Sequence, residues 1–262
     1  MSVSNIREHI VITDKAGFKN FLETSCKERK YDIYTVSKGI DKCEVKGDFT
    51  FKRGLNIRLI DQVLSFEGIE FNERVTIESV KVSQISFSKC TFHKGFSIDN
   101  YVRATVSECK FDTQNDFCWK SLSFYYDTEI TFEKCDFNGI EARYEKYDAI
   151  GQGSIYCSYR STASFNNCTF TDCMNITNLN QDDPGISFTN CDFKHSSFFT
   201  NNESVDLKNT KLKIESCRFK NSSLLILDTV QDVEPAWSGE DTYESSVTLV
   251  KRKTIKPIKD FE

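Results

Sequence analysis

The amino-acid sequence predicts an all-β protein, a solenoid in which short parallel strands wind around one hydrophobic core. Three observations favour this fold. A six-residue motif recurs along the chain, the spacing of its copies is typical of solenoid repeats, and the composition is rich in Phe and poor in Ala. The 262 residues include 22 Phe and 6 Ala. Aromatic side chains suit a pleated sheet, whereas Ala is the best helix former.

The motif consists of an apolar residue, two polar residues, Cys, one polar residue and Phe. An earlier copy, running from Phe66 to Phe71, has Ile69 where the Cys would stand. The spacings from one Cys to the next are 19, 26, 33, 23 and 26 residues, so each repeat tolerates insertions. We therefore expect internal columns of thiol and phenyl groups. The six motif cysteines are Cys90, Cys109, Cys135, Cys168, Cys191 and Cys217.

The spacing within one copy predicts how the chain bends. Residues two apart share one face of a strand, but Phe87 and Cys90 are three apart, so the chain must bend at Ser88-Lys89. Asn167 and Asn190 hold the second bend position in two copies, and Asn tolerates the left-handed conformation. A third apolar pair follows in most copies: Phe96 with Ile98, Leu122 with Phe124, Met174 with Ile176, and Leu225 with Leu227. Three short strands per turn, joined by corners, describe a right-handed parallel β-helix.

With this motif, the chain resembles the pectin-lyase-like β-helix superfamily, in the branch whose turns carry F-x-x-C-x-F. The resemblance covers roughly residues 31–230. It implies the β-helix fold but no particular activity, since one fold hosts many functions. The competing solenoid, the pentapeptide-repeat protein, needs a strict five-residue period that the uneven spacings do not keep.

Both ends of a solenoid need a cover. We expect an N-terminal cap over residues 1–30, the β-helix over 31–230, and a C-terminal cap or charged tail over 231–262. In the segment Asp14–Arg29, Phe18, Phe21 and Leu22 fall at helical spacing and Asp14 can cap the first turn. This predicts an amphipathic helix over the first turn of the solenoid. Strands are expected at Tyr31–Val36, Phe49–Ile57 and Ser246–Val250.

Composition argues against several functions. A net charge of −5 disfavours nucleic-acid binding over the whole chain, and no apolar run approaches the roughly 20 residues of a membrane span. The first residues lack the pattern of a secretory signal, so the eleven Cys predict reduced thiols in the cytoplasm. The three histidines, His9, His93 and His195, show no metal-ligand spacing. We expect no metal and no cofactor.

The favoured function is a non-catalytic scaffold that presents loops to a protein partner, with a glycan as the second ligand class. The motivation is a well-defined repeat combined with the lack of a defined active site. Aromatic residues in the long insertions and near the C-terminus are the expected contacts, because such side chains anchor interfaces. They are Trp119, Tyr144, Tyr147, Tyr156, Tyr159 and Trp237.

The alternative is a carbohydrate-active enzyme, a polysaccharide lyase or glycoside hydrolase, with its site in the loops 141–160 and 178–183. Two carboxylates suit glycosidic hydrolysis, and an Arg is a candidate lyase base. The chain has none of the paired-Asp or calcium-ligand motifs of β-helix enzymes, so catalysis is the less favoured reading. The candidate groups are Asp148, Asp182 and Asp183, with Glu145 as a further carboxylate, and Arg143 or Arg160.

Overall fold

The structure, a computed structural model, describes residues 8–24, 26–29, 33–112, 122–140, 155–157, 159–173, 176–179, 185–200, 211–220, 222–228, 236–241 and 246–251. This part of the chain is nearly all β, and its parallel sheets stack as a β-solenoid of about six turns. The predicted all-β solenoid is therefore confirmed. Its right-handedness and its three strands per turn stay predictions.

One helix and 26 strands make up the described chain. The helix is α1 (Lys15–Thr24), which lies between β1 and β2. The strands are β1 (Glu8–Ile12), β2 (Cys26–Arg29), β3 (Ile33–Val36), β4 (Ile40–Phe51), β5 (Leu55–Leu59), β6 (Val63–Phe71), β7 (Val75–Ser79), β8 (Ser83–Ser88), β9 (Thr91–Phe92), β10 (Phe96–Asp99), β11 (Val102–Ser107), β12 (Lys110–Asp112), β13 (Leu122–Tyr125), β14 (Glu129–Glu133), β15 (Asp136–Asn138), β16 (Ile155–Cys157), β17 (Thr162–Asn166), β18 (Thr169–Thr171), β19 (Thr177–Leu179), β20 (Gly185–Thr189), β21 (Asp192–Lys194), β22 (Ser197–Thr200), β23 (Lys211–Lys220), β24 (Ser223–Asp228), β25 (Ala236–Asp241) and β26 (Ser246–Lys251).

Hydrogen bonding arranges most of these strands in three rows. Row A contains β4, β6, β8, β11, β14, β17, β20 and β23. Row B contains β9, β12, β15, β18 and β21, and it joins row A through β6 and β23. Row C contains β3, β5, β7, β10, β13, β16 and β19. Neighbours within a row are parallel, so residues from successive repeats stand side by side.

The core consists of stacked phenyl rings. In row A, the rings of Phe132 and Phe165 lie 4.6 Å apart with an angle of 1° between their planes. In row B, Phe137 and Phe170 lie 4.6 Å apart with an angle of 7°. Rings of the two rows meet edge to face, as Phe137 does with Phe165 at 5.6 Å. Offset stacks and edge contacts are the favourable aromatic arrangements, and the six motif thiols are buried beside them. The predicted columns are confirmed.

Many of the corners between rows use left-handed backbone. Among the described residues, every non-glycine residue with a positive φ lies between two strands, except Ser216, which lies within β23. Asn167 and Asn190, with φ of 54° and 53°, confirm the predicted left-handed bend. The same corner holds Lys89 at 53°, which confirms the predicted bend at Ser88-Lys89. The equivalent residues of the other repeats are Gly68, Glu108, Lys134 and Ser216.

The N-terminal helix is shorter than predicted. Phe18, Phe21 and Leu22 are buried as expected, and the Oδ1 atom of Asp14 accepts a hydrogen bond from the Gly17 amide at 2.7 Å. The helix ends at Thr24, however, so the prediction of a helix reaching Arg29 is wrong. Residues 26–29 form β2 instead, because they pair antiparallel with β3 and thereby satisfy their backbone groups.

One strand prediction changes, and one strand lies where none was predicted. The expected strand Phe49–Ile57 is broken, since β4 ends at Phe51 and β5 begins at Leu55, with a corner between them. Strand β1, inside the predicted cap, already pairs in parallel with β4. The predicted strand Ser246–Val250 is confirmed as β26, and in the predicted strand Tyr31–Val36 the described residues form β3.

No described helix has the length and apolar character needed to cross a bilayer.

Candidate interaction surface

Among the residues that the structure describes, one corner of the solenoid carries most of the exposed large apolar side chains. Six such side chains are exposed in the described chain, and five of them lie where row C turns into row A. We call these five residues the ridge: Val80, Val82, Tyr101, Tyr126 and Tyr159. The sixth, Val11, lies in β1. Exposed apolar side chains that cluster in this way mark binding surfaces, whereas scattered ones carry no meaning.

The ridge extends along the solenoid because its residues belong to four successive connections. Val80 and Val82 lie between β7 and β8, and Tyr101 lies between β10 and β11. Tyr126 follows β13, and Tyr159 follows β16. Backbone hydrogen bonds hold the connections together: the Tyr101 amide donates to the Tyr126 carbonyl at 3.0 Å. With a spacing of about 4.8 Å between strands, the ridge is about 14 Å long.

The tyrosines of the ridge sit on strained backbone. Tyr101, Tyr126 and Tyr159 have φ values of 56°, 49° and 51°. Each is next to a second residue in the same region, which is Asn100, Asp127 or Arg160. The left-handed conformation costs roughly 1–2 kcal/mol for a residue with a side chain, and bulky residues rarely adopt it. Lys89, Glu108 and Lys134 adopt the same conformation at another corner, so this backbone is a feature of the solenoid and not of the ridge alone.

Two of the ridge rings form a fixed pair. The rings of Tyr126 and Tyr159 lie 4.5 Å apart with an angle of 9° between their planes. The residues that follow these two tyrosines form an ion pair. The Arg160 guanidinium donates two hydrogen bonds of 2.8 Å to the Asp127 carboxylate. This bidentate contact holds the pKa of Asp127 below its usual range. The two adjacent corners are therefore locked together by both a ring contact and an ion pair.

A polar groove runs beside the ridge on the outer face of row A. It has a volume of about 300 Å³. Arg103 bridges the groove and the ridge, because its Nη1 donates to the Asp127 carbonyl at 2.7 Å and its Nε lies 3.1 Å from Glu129. We call the outward-facing part of this lining the trough: Gln84, Ser86, Arg103, Thr105, Glu129 and Thr131. Its one cation and one anion are paired with each other, so the trough has no net charge.

On the other side of the ridge, row C carries two neighbouring tyrosines, Tyr125 and Tyr156, that are largely buried. The rings of Tyr125 and Tyr156 lie 5.3 Å apart, and Tyr156 is only 6% exposed. Burial, followed by the nearby Tyr156 and Asp99, raises the pKa of Tyr125 to about 12. The neutral phenol is therefore the form present at neutral pH, and its ring lies 6.3 Å from that of Tyr126 in the ridge.

The described cysteines all belong to the hydrophobic core. All ten cysteines that the structure describes are unpaired and buried. Burial raises the pKa of Cys173 to about 12 and that of Cys157 still further. A thiol is a nucleophile and a metal ligand only as the thiolate. Within the described ranges, no three His, Cys, Asp or Glu side chains come together in a way that could hold a metal ion.

The structure describes only some of the residues predicted to bind or react. Tyr159 belongs to the ridge, and Tyr156 lies buried in β16. Trp237 lies in β25, whose backbone pairs it with Ile214, and its side chain is outside the description. Arg160, a candidate lyase base, is held by Asp127. Outside the described residues lie Trp119, Arg143, Tyr144, Glu145, Tyr147, Asp148, Asp182 and Asp183. The enzymatic alternative therefore stays a prediction.

Sequence reasoning did not find most of the ridge. Val80 and Val82 alternate with Lys81, which is the pattern of a strand with one buried face, yet all three residues form a corner. Tyr101 follows Asn100, and an Asn beside an aromatic residue between two apolar strands was a usable signal for a left-handed corner. Tyr126 was not among the aromatic residues predicted to contact a partner.

Comparison of this chain with protein-family models, with curated proteins and with solved structures found no match. The class of protein is therefore defined by its structure alone, as a parallel β-solenoid.

Proposed function

We propose that this protein is a non-catalytic β-solenoid scaffold that binds a protein partner through the ridge. The observation that carries the proposal is the position of the exposed large apolar side chains: of the six in the described part of the chain, five follow one corner. Three of the five are Tyr, a residue type enriched in the centres of protein interfaces. Rigid aromatic side chains lose little conformational entropy on binding, which favours their use as anchors.

The rigidity of the support strengthens the proposal. Tyr126 and Tyr159 are held by their ring contact and by the Asp127–Arg160 ion pair. The strands on either side are fixed by the core phenyl stacks. A surface whose side chains are already ordered pays a smaller entropic cost on association than a mobile loop.

Site-specific photo-crosslinking tests this function. A photoreactive phenylalanine analogue at Tyr126 is expected to give covalent adducts with a partner protein in the cells that make this chain. The same analogue at Val11, which is 53% exposed against 47% for Tyr126 but lies off the ridge, is the matched control. Adducts at Tyr126 should disappear when Tyr101 and Tyr159 are both replaced by Asn. Equal adduct yields at Tyr126 and Val11 would contradict the proposal.

Two finer assignments belong to the same proposal. Membership of the pectin-lyase-like superfamily, with right-handed coiling, is supported by the F-x-x-C-x-F repeats and by the solenoid that they form. A cytoplasmic location is supported by the unpaired state of the described thiols, since disulfides are rare in reducing compartments. Tyr159 is the originally predicted contact that the ridge contains.

A further inference from the structure

The chemistry of the ridge and the trough narrows the kind of partner, and this inference rests on the proposed function. The ridge is a line of apolar side chains about 14 Å long, and the trough beside it is polar but carries no net charge. A stable dimer buries about 800 Å² on each partner. A single line of five side chains is too narrow for that, so a short linear segment fits better than a second copy of this chain.

We propose that the ridge and the trough bind a proline-rich segment of the partner in the polyproline II conformation. Such segments dock against exposed aromatic side chains, and they arrive already ordered. They also carry unsatisfied backbone carbonyls, which need hydrogen-bond donors beside the aromatic rings. The phenol hydroxyls of the ridge and the Gln84 amide and Arg103 guanidinium of the trough are donors of this kind.

The axial repeat of a polyproline II helix agrees with the distance spanned by two repeats of the solenoid. A polyproline II helix has three residues per turn and a rise of 3.1 Å, so it repeats every 9.3 Å or so. Two steps of the solenoid measure about 9.6 Å. Tyr101 and Tyr159 are separated by two such steps, with Tyr126 between them. Prolines three residues apart on one edge of the ligand would therefore meet the two tyrosines in turn.

Uncharged recognition also distinguishes this ligand from others. Arg103 is paired with Glu129, and Arg160 with Asp127, so these two pairs beside the tyrosines carry no net charge. An acidic or basic peptide would gain little from such a surface, whereas proline-rich segments are recognised by shape and by hydrogen bonds to their carbonyls.

Fluorescence anisotropy with labelled dodecaproline tests the inference. Binding to the full chain is expected, and replacing Tyr101, Tyr126 and Tyr159 together by Asn should weaken it at least about tenfold. Asn removes the rings while tolerating the left-handed backbone, and circular dichroism verifies that the variant is folded. Tyr126→Asn alone is the second variant and should weaken binding in the same direction. Val11→Asn is the control that should leave the affinity unchanged.

The remaining outcomes decide against the inference. No binding of dodecaproline, or binding that the Asn variants leave unchanged, would overturn it. So would tighter binding of an amphipathic helical peptide of equal length, or self-association of the chain that depends on the tyrosines. If dodecaproline fails while ridge-dependent adducts form at Tyr126, the inference falls and the proposed function stands. If neither is observed, both fall.

Discussion

The Sγ atom of Cys191 lies 3.3 Å from the carbonyl oxygen of Phe165, which belongs to the preceding repeat. The same thiol lies 3.5 Å from the carbonyl of Thr189, two residues earlier in its own repeat. Backbone hydrogen bonds between repeats continue across this corner, as from the Asn167 amide to the Thr189 carbonyl at 2.9 Å. The S–H group adds a side-chain donor to the carbonyls there. The equivalent contacts to the preceding repeat are made by Cys90 with Phe66, Cys135 with Val106, Cys168 with Phe132 and Cys217 with Phe188.

The second corner shows that a hydroxyl can take the place of the thiol. Cys173 donates to the Phe137 carbonyl at 3.5 Å, whereas in the next repeat the Ser196 hydroxyl donates to the Phe170 carbonyl at 3.3 Å. The motif cysteines are thus buried hydrogen-bond donors of small volume, and no redox role is required to explain them.

Replacing Cys191 by Ser and by Val should distinguish the contribution of the hydrogen-bond donor to stability from the contribution of side-chain packing. Cys191→Val fills the site but removes the donor, which should lower the free energy of unfolding by about 1–3 kcal/mol. Cys191→Ser keeps a donor and should stay within about 1 kcal/mol of the wild type. Urea denaturation measures both values. Equal losses in the two variants would show that the thiol acts through packing alone.

Removing a ring from the centre of the phenyl stack should cause a large loss of folding stability. Phe165 lies 4.6 Å from Phe132 and 4.9 Å from Phe188, so its ring has stacked neighbours on both sides. Phe165→Ala should cost about 3–5 kcal/mol of the free energy of unfolding, since the rigid sheets can close the cavity only in part. Thr162→Ala, an exposed site in the same strand, should change it by less than about 0.5 kcal/mol. Similar losses at both sites would contradict the internal stack.

The left-handed corners predict a stabilising substitution. Lys134 has a φ of 54°, where a side chain is unfavourable. Lys134→Gly should raise the free energy of unfolding by about 1 kcal/mol, because glycine has no Cβ to clash. Lys110→Gly, in the exposed face of β12, should lower it by about 0.5–1 kcal/mol. Thermal unfolding of the two variants gives the comparison, and destabilisation by both would argue against the corner geometry.

The N-terminal strands predict a pH dependence of stability in acid. Hydrogen bonds from Lys42 and then Lys46 lower the pKa of Glu44 from 4.5 to about 2. Because the folded pKa is lowered, the stabilisation is complete above pH 4.5 and is lost as the pH falls towards 2. Glu44→Gln should lower the melting temperature at pH 6, and the difference from the wild type should shrink between pH 4.5 and pH 2. A difference that is constant over that range would exclude the linkage.

Thiol alkylation should report on global unfolding. Burial raises the pKa of Cys173 to about 12, so its thiolate is scarce at neutral pH as well as inaccessible. Iodoacetamide followed by peptide mass spectrometry is expected to leave Cys173 unmodified in the native protein and to modify it in urea. Rapid labelling of Cys173 without denaturant would show that the corner opens locally.

The repeat itself could be predicted from sequence because it depends on short-range geometry. Phe87 and Cys90 are three residues apart, and a strand has a period of two, so a bend had to lie between them. The end of the helix could not be predicted in this way. Residues 26–29 are compatible with a helix locally, and only their pairing with Ile33–Val36 makes them a strand.

The sequence by itself determined that thiols and phenyl groups would point inwards, since each copy carries the same spacing and each repeat must bury the same face. Only the tertiary structure decided which exposed residues become neighbours. Tyr126 and Tyr159 are 33 residues apart, and they stack because β13 pairs with β16 in a register that places one above the other. The motif spacing of 33 residues from Cys135 to Cys168 is compatible with that register, but only the backbone pairing of the strands brings the two exposed rings into contact.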